Sequence, residues 1–168
     1  MVTVHEAAYA DKSTLRNLLE LYKYDFSEFD PEDDLNENGL YEYMYLDHYW
    51  TEEGRYPFLF RVGGKLAGFA LVRRHEPNEA SGPVYEMAEF FVLRKFRGSG
   101  TGKQAAYDLF NRLPGRWRVA EMDSNEPAQL FWRKIIAQYT ELQFQEIREA
   151  GWDGPIQLFK SNPRGADR

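Results

Sequence analysis

The chain has 168 residues, 43% of them hydrophobic, a length expected to fold as one domain (1–168) with a core of its own. It contains no cysteine, which excludes disulfides, thiolate metal sites and every mechanism built on a cysteine nucleophile. The net charge is −6, yet eleven acids and no Lys or Arg fall between Asp25 and Glu53, leaving 16 acids against 21 bases elsewhere. A mildly basic body carrying one acidic, aromatic segment keeps anionic ligands in play, which the average charge alone would argue against. No apolar run reaches the roughly 18 residues of a membrane span. Met1–Ala10 lacks the basic-then-apolar pattern of a signal peptide, so a cytoplasmic protein is expected.

Val2 to Ala7 alternates as a short strand. Leu15, Leu18, Leu19 and Tyr22 recur at helical spacing, which predicts a helix to about Phe26, capped by Asp11, Ser13 or Thr14. Asp30-Pro31 and Asn38-Gly39 break the chain, and Tyr41, Tyr45 and Tyr49 then read as one stripe of a second helix. Pro57–Val62 and Lys65–Arg73 flank Gly63-Gly64, a hairpin signal. After a polar loop from His75 to Pro83, Tyr85–Leu93 is a long strand. A glycine-rich loop follows it and opens a helix marked by Ala105, Ala106, Leu109, Phe110 and Leu113. A strand at Trp117–Met122, a helix at Glu126–Tyr139 and strands at Phe144–Arg148 and Ile156–Lys160 complete the order, and residues 162–168 read as a frayed polar tail. The fold class is α+β.

The most informative segment is Arg94-Lys95-Phe96-Arg97-Gly98-Ser99-Gly100-Thr101-Gly102-Lys103, four bases and no acid between a strand and a helix. Glycines let a backbone curl around a ligand, and a helix start offers unpaired N–H groups and a positive dipole end, together an anion site. Two phosphate motifs fail: a P-loop would need glycine at position 97 and Ser or Thr at 104, where Arg97 and Gln104 stand. The dinucleotide fingerprint would need its third glycine one residue later than Gly102.

What does match is R-x-x-G-x-G, as Arg97, Gly100 and Gly102. Placed between that strand and that helix, it resembles the acyl-CoA pyrophosphate loop of GNAT-superfamily N-acetyltransferases, and the element order resembles that fold over nearly the whole chain. Asn125, Ala128, Phe131 and Trp132 resemble the family's N-x-x-A-x-x-F-Y segment, with Trp132 where the family has Tyr. The resemblance implies a central twisted mixed β-sheet flanked by helices, with acetyl-CoA in a cleft where the third and fourth main strands part. Phe90, Phe91 and Val92 would meet pantetheine through backbone groups. Gly98, Ser99, Gly100, Thr101, Gly102 and Lys103 would wrap the pyrophosphate, Arg97 would close the loop, and Asn125 and Trp132 would line the pantetheine arm. Direct transfer of acetyl from acetyl-CoA, the co-substrate, to a primary amine would follow, with no metal. An indole N–H is far too weak an acid to replace the family's phenol, so the group that protonates the departing thiolate must lie elsewhere or be dispensable.

An amine must lose its proton before it attacks. Glu89, a carboxylate in the apolar run Met87–Phe91, is the first candidate base; Glu121 and Glu86 are alternatives. The acids of residues 25–37, interleaved with Tyr22, Tyr24, Phe26 and Phe29, are expected near a cationic small-molecule or peptide amine. An acyl-CoA-binding or regulatory domain that retains the fold is the alternative function, and Trp132 favours it. The aromatic cluster lies among acids, which argues against nucleic acid. His5, His48 and His75 have no ligand spacing. No membrane partner is indicated, and the chain is expected as a monomer or homodimer.

Overall fold

The computed structural model describes residues 1–77 and 80–163. Asn78 and Glu79 of the polar loop, and Arg164–Arg168 of the expected frayed tail, lie outside the described residues. The elements are β1 (Val2–Glu6), α1 (Lys12–Phe26), α2 (His48–Thr51), β2 (Arg55–Val62), β3 (Lys65–His75), β4 (Val84–Val92), α3 (Thr101–Arg112), β5 (Arg116–Ala120), α4 (Glu126–Tyr139), β6 (Phe144–Ile147) and β7 (Ile156–Lys160). They form one seven-stranded mixed sheet in the order β1-β2-β3-β4-β5-β7-β6. Every neighbouring pair is antiparallel except β4–β5.

Each face of the sheet carries an apolar layer. Leu15, Leu18 and Leu19 of α1 pack with Tyr49, Leu59, Phe69, Leu71 and Phe91 on one side. Ala105, Leu109 and Phe110 of α3 and Trp132, Ile135 and Ile136 of α4 pack with Phe60, Val72, Met87 and Trp117 on the other. The helical stripes read from the sequence are thus the faces that bury. The hairpin turn forms as its glycines demand, with Gly63 and Gly64 both at positive φ. Asp11 sits at the α1 N-cap, but its carboxylate accepts from the Ala8 N–H at 3.0 Å rather than capping the helix.

The expected second helix is corrected. Only His48–Thr51 is helical, and the Tyr41/Tyr45/Tyr49 stripe does not form, since Tyr45 is exposed while Tyr41 and Tyr49 are buried. Tyr41 is held instead by α1: its N–H donates to Glu20 at 3.1 Å and its carbonyl accepts from Arg16. Contacts to a neighbouring element satisfy the backbone groups that a second helix would have used.

Two features of β4 place the site. First, β4 pairs with β5 only through Val84, Tyr85 and Glu86, and from Met87 onward the strands diverge. Second, the register against β3 shifts between Leu71–Glu89 and Val72–Met87, leaving Ala88 as an extra residue. Tyr85 and Met87 face α3 and α4. Strict alternation would send Glu89 and Phe91 the same way. The bulge reverses them, so Phe90 packs on Phe131 and Trp132 while Phe91 packs on Tyr22 of α1.

Candidate active site

The divergence of β4 and β5 opens a cleft of about 690 Å³. One wall is Phe90, Phe91 and Val92 of β4; another is α4, through Ala128, Phe131, Trp132 and Ile135. The glycine loop closes one end, and Tyr22, Asp25 and Phe29 from α1 and the segment after it lie across the opening.

The three glycines are required for different reasons. Gly98 and Gly100 have φ of +77° and +85°, which strains any side chain. Gly102 is helical, but a Cβ there would lie 3.0 Å from the Phe131 ring, so this glycine sets how closely α3 approaches α4. No side chain caps α3. The first-turn N–H groups of Thr101, Gly102 and Lys103 therefore lack intrahelical acceptors and present the positive end of the helix dipole to the cleft. An anionic diphosphate fits this arrangement.

Of the residues expected at the site, Phe90, Phe91, Val92, Arg97, Gly98, Gly100, Gly102, Lys103, Asn125 and Trp132 line the cleft. Ser99 and Thr101 turn inward on the loop itself: Ser99 donates to the Phe96 carbonyl at 3.0 Å, and the two hydroxyls meet at 3.2 Å. Asn125 caps α4, its Oδ1 accepting from the Ala128 N–H at 3.2 Å, which leaves its amide nitrogen as the group for a ligand. Glu121 is not brought to the cleft. It is 4% exposed beyond the end of β5, with neither carboxylate oxygen hydrogen-bonded among the described residues; its charged neighbours Arg133 and Glu146 lie against it with Gln157. Burial pushes its carboxyl up to about 8. Glu86 pairs with Arg73 and His75 at 2.9 and 2.8 Å, away from the cleft lining.

Glu89 does reach the junction between the cleft and the α1 face. It is not itself part of the cleft lining, but the next two residues, Phe90 and Phe91, are. The Tyr43 hydroxyl lies 3.5 Å from its Oε1, and the Tyr22 hydroxyl also faces the carboxylate. Burial raises the Glu89 carboxyl above its ordinary value, and Tyr22, Lys23, Arg73 and Tyr43 offset this only in part.

Several functional groups were not singled out from the sequence. On α4, Pro127, Lys134, Ile135 and Gln138 extend the motif residues Ala128 and Phe131 along the cleft at helical spacing, a signal legible in the sequence. Asp25, expected with the other acids beside the amine, lies instead on the basic loop. Its Oδ1 accepts from Arg94 at 3.0 and 2.6 Å and its Oδ2 from Arg97 at 2.7 Å, while Arg97 Nε donates to the Val92 carbonyl at 2.7 Å. Burial alone would raise the Asp25 carboxyl, but these bonds outweigh it and hold it below its ordinary value. Further along, Ser124 donates to the Phe29 carbonyl at 2.9 Å and Lys23 pairs with Asp33 at 3.0 Å. The start of the acidic segment is thus tied to both rims of the cleft, touching the basic loop directly.

A cleft between diverging central strands, with an uncapped helix start at one end, is the architecture of an acyl-CoA-dependent transferase fold. The model of the acetyltransferase (GNAT) family matches residues 15–136, and the chain belongs to that family. Among solved structures, an acetyltransferase from Thermus thermophilus is 15% identical, with 95% of this chain and 97% of that one covered and a TM-score of 0.71. The aminoglycoside acetyltransferase AAC(6')-Ib in complex with coenzyme A is 15% identical, with 95% of each chain covered and a TM-score of 0.64. NAA60 of Arabidopsis thaliana in complex with a bisubstrate analogue is 14% identical, covering 97% and 99% at a TM-score of 0.60. At these identities the likeness establishes the shared GNAT fold. Compared with curated protein sequences, the chain matches none. No helix among the described residues is long and apolar enough to cross a membrane.

Proposed function

We propose that this chain transfers an acetyl group from acetyl-CoA to a primary amine, with Glu89 as the base. The observation that carries the reading is the cleft, with an uncapped, positively polarised helix start at one end, and beside it the carboxylate that the β4 bulge turns to the α1 face. The loop N–H groups and Lys103 would hold the diphosphate, and the β4 edge and Asn125 the pantetheine arm. The amine would enter from the α1 face, lose a proton to Glu89 and attack the thioester carbon directly. A raised Glu89 carboxyl suits a base working near neutral pH better than an ordinary one. Glu28 borders the opening, and an acid there favours a cationic acceptor, whereas Asp25 beside it is taken up by Arg94 and Arg97. Three similar structures, of two proteins, are of aminoglycoside acetyltransferases, so an aminoglycoside belongs in the acceptor panel beside a polyamine and a peptide amine.

The test is CoA release from acetyl-CoA across that panel. Glu89→Gln is expected to cut turnover by well over ~10-fold with CoA affinity unchanged, and to remove the acid limb of the pH–rate profile. An unaltered profile in the variant would dismiss Glu89 as the base. Neutralising acids of residues 28–37 or adding salt is expected to slow only cationic acceptors. One observation favours a second reading, an acyl-CoA-binding domain without turnover: Trp132 stands where the family motif has a phenol. Saturable CoA binding with no release across the panel would select it.

A further inference from the structure

Departure of CoA as a thiolate is helped by a proton donor, and Trp132 is not one. Its ring is 6% exposed and packed edge-on against Phe90 and Phe131, each at 4.9 Å between centroids. Among the residues lining the cleft there is one tyrosine, Tyr22. It projects from α1 onto the sheet face to which the Ala88 bulge has turned Glu89 and Phe91. Its ring is wedged among Phe26, Phe69 and Phe91 at 5.6–5.7 Å, and its hydroxyl faces the Glu89 carboxylate. The Tyr43 hydroxyl meets the same carboxylate at 3.5 Å but Tyr43 does not line the cleft. Glu89 is thus met by two phenols, of which only Tyr22 belongs to a residue lining the cleft.

We infer that Tyr22 is the group that protonates the departing thiolate, working in relay with Glu89; this rests on the acetyl-transfer reading above. The ammonium proton passes to Glu89, and the freed amine nitrogen bonds to the thioester carbon. The C–S bond then breaks with its electron pair on sulfur, sulfur takes the Tyr22 hydroxyl proton, and Tyr22 regains one from Glu89. Of the two protons the ammonium nitrogen sheds, one reaches sulfur through Glu89 and Tyr22 and the other leaves to water as the amide forms, and both side chains return to their starting states. Burial and the Glu89 charge hold the Tyr22 phenol well above its ordinary value, so on its own it would be a poor donor. The Glu89 contribution vanishes once Glu89 carries the amine's proton. Because the Tyr22 hydroxyl faces Glu89, the protonated carboxyl stands ready to replace the proton the phenol gives up, which ties thiol release to attack.

The test is the single-turnover rate of acetyl transfer in wild type, Tyr22→Phe and the Tyr22→Phe/Trp132→Tyr double variant, with CoA affinity measured in each. The expected result is a loss of about 100-fold in Tyr22→Phe with CoA affinity within about twofold, and recovery of at least about tenfold in the double variant, where a phenol returns to the α4 position. A Tyr22→Phe rate within about threefold of wild type, or a rate loss matched by an equal loss of CoA affinity, overturns the assignment; so does a double variant no faster than the single one. Wild type that binds CoA and transfers to no amine removes the acetyl-transfer reading and the relay with it, whereas turnover that survives in Tyr22→Phe removes the relay alone.

Discussion

Replacing Asp25 by Asn tests whether the acidic segment competes with CoA for the loop. Asp25 spends both carboxylate oxygens on Arg94 and Arg97, and Arg97 is the cation that the loop motif assigns to the diphosphate end of the cleft. The Arg97 side chain is 42% exposed and that of Asp25 24%. An ion pair so open to water contributes about 0.5–1 kcal/mol, which is the cost of freeing Arg97 for a ligand. At about 1.4 kcal/mol per tenfold, Asp25→Asn should tighten CoA binding by about two- to fivefold at low ionic strength. Salt screens both the pair and the ligand, so the gain should shrink toward ~0.2 M salt, where the screening length falls to roughly 7–8 Å. Calorimetric titration of CoA into wild type and variant at two salt concentrations measures both effects. The same change should lower stability by no more than ~1 kcal/mol, a melting shift of a few degrees. The Asp25 carboxyl is held below its ordinary value, so the clamp's stabilisation is present above pH ~4 and lost as pH falls through the folded value. Weaker CoA binding in Asp25→Asn would refute the competition and show that Asp25 holds Arg97 in a binding posture instead.

Gly102→Ala places a methyl 3.0–3.1 Å from the Phe131 ring; overpacking of this kind costs about 1–3 kcal/mol. Urea denaturation should show that loss together with weaker CoA binding as α3 and α4 are pushed apart, and wild-type stability would mean that Phe131 yields freely. Glu121→Gln should act through pH. The folded carboxyl titrates at about 8, above its unfolded value of 4.5, so wild-type stability falls as pH rises through that window and is level beyond it. The variant should match wild type near pH 5 and exceed it by about 2–4 kcal/mol near pH 9. An advantage independent of pH would show that Glu121 is not buried as a neutral acid at low pH.

The sequence by itself determined what depends on neighbours along the chain. The α1 and α4 stripes and the Gly63-Gly64 hairpin are local patterns whose period or turn chemistry admits one reading, and they follow it in the structure; the glycine loop is a local pattern too, with three motifs to weigh. Even there the loop's glycines looked alike, although Gly98 and Gly100 answer to backbone conformation and Gly102 to the Phe131 ring on another helix. Tertiary structure decided whatever depends on register and on distant pairing. The face that Glu89 takes follows from one extra residue in β4 opposite β3, which no alternation pattern in β4 reveals. Tyr41 left its helical stripe because its backbone found partners on α1. The run of acids announced its sign but not its place: a charge acts through space, and only the folded chain brings Asp25 onto Arg94 and Arg97, 69 and 72 residues further on.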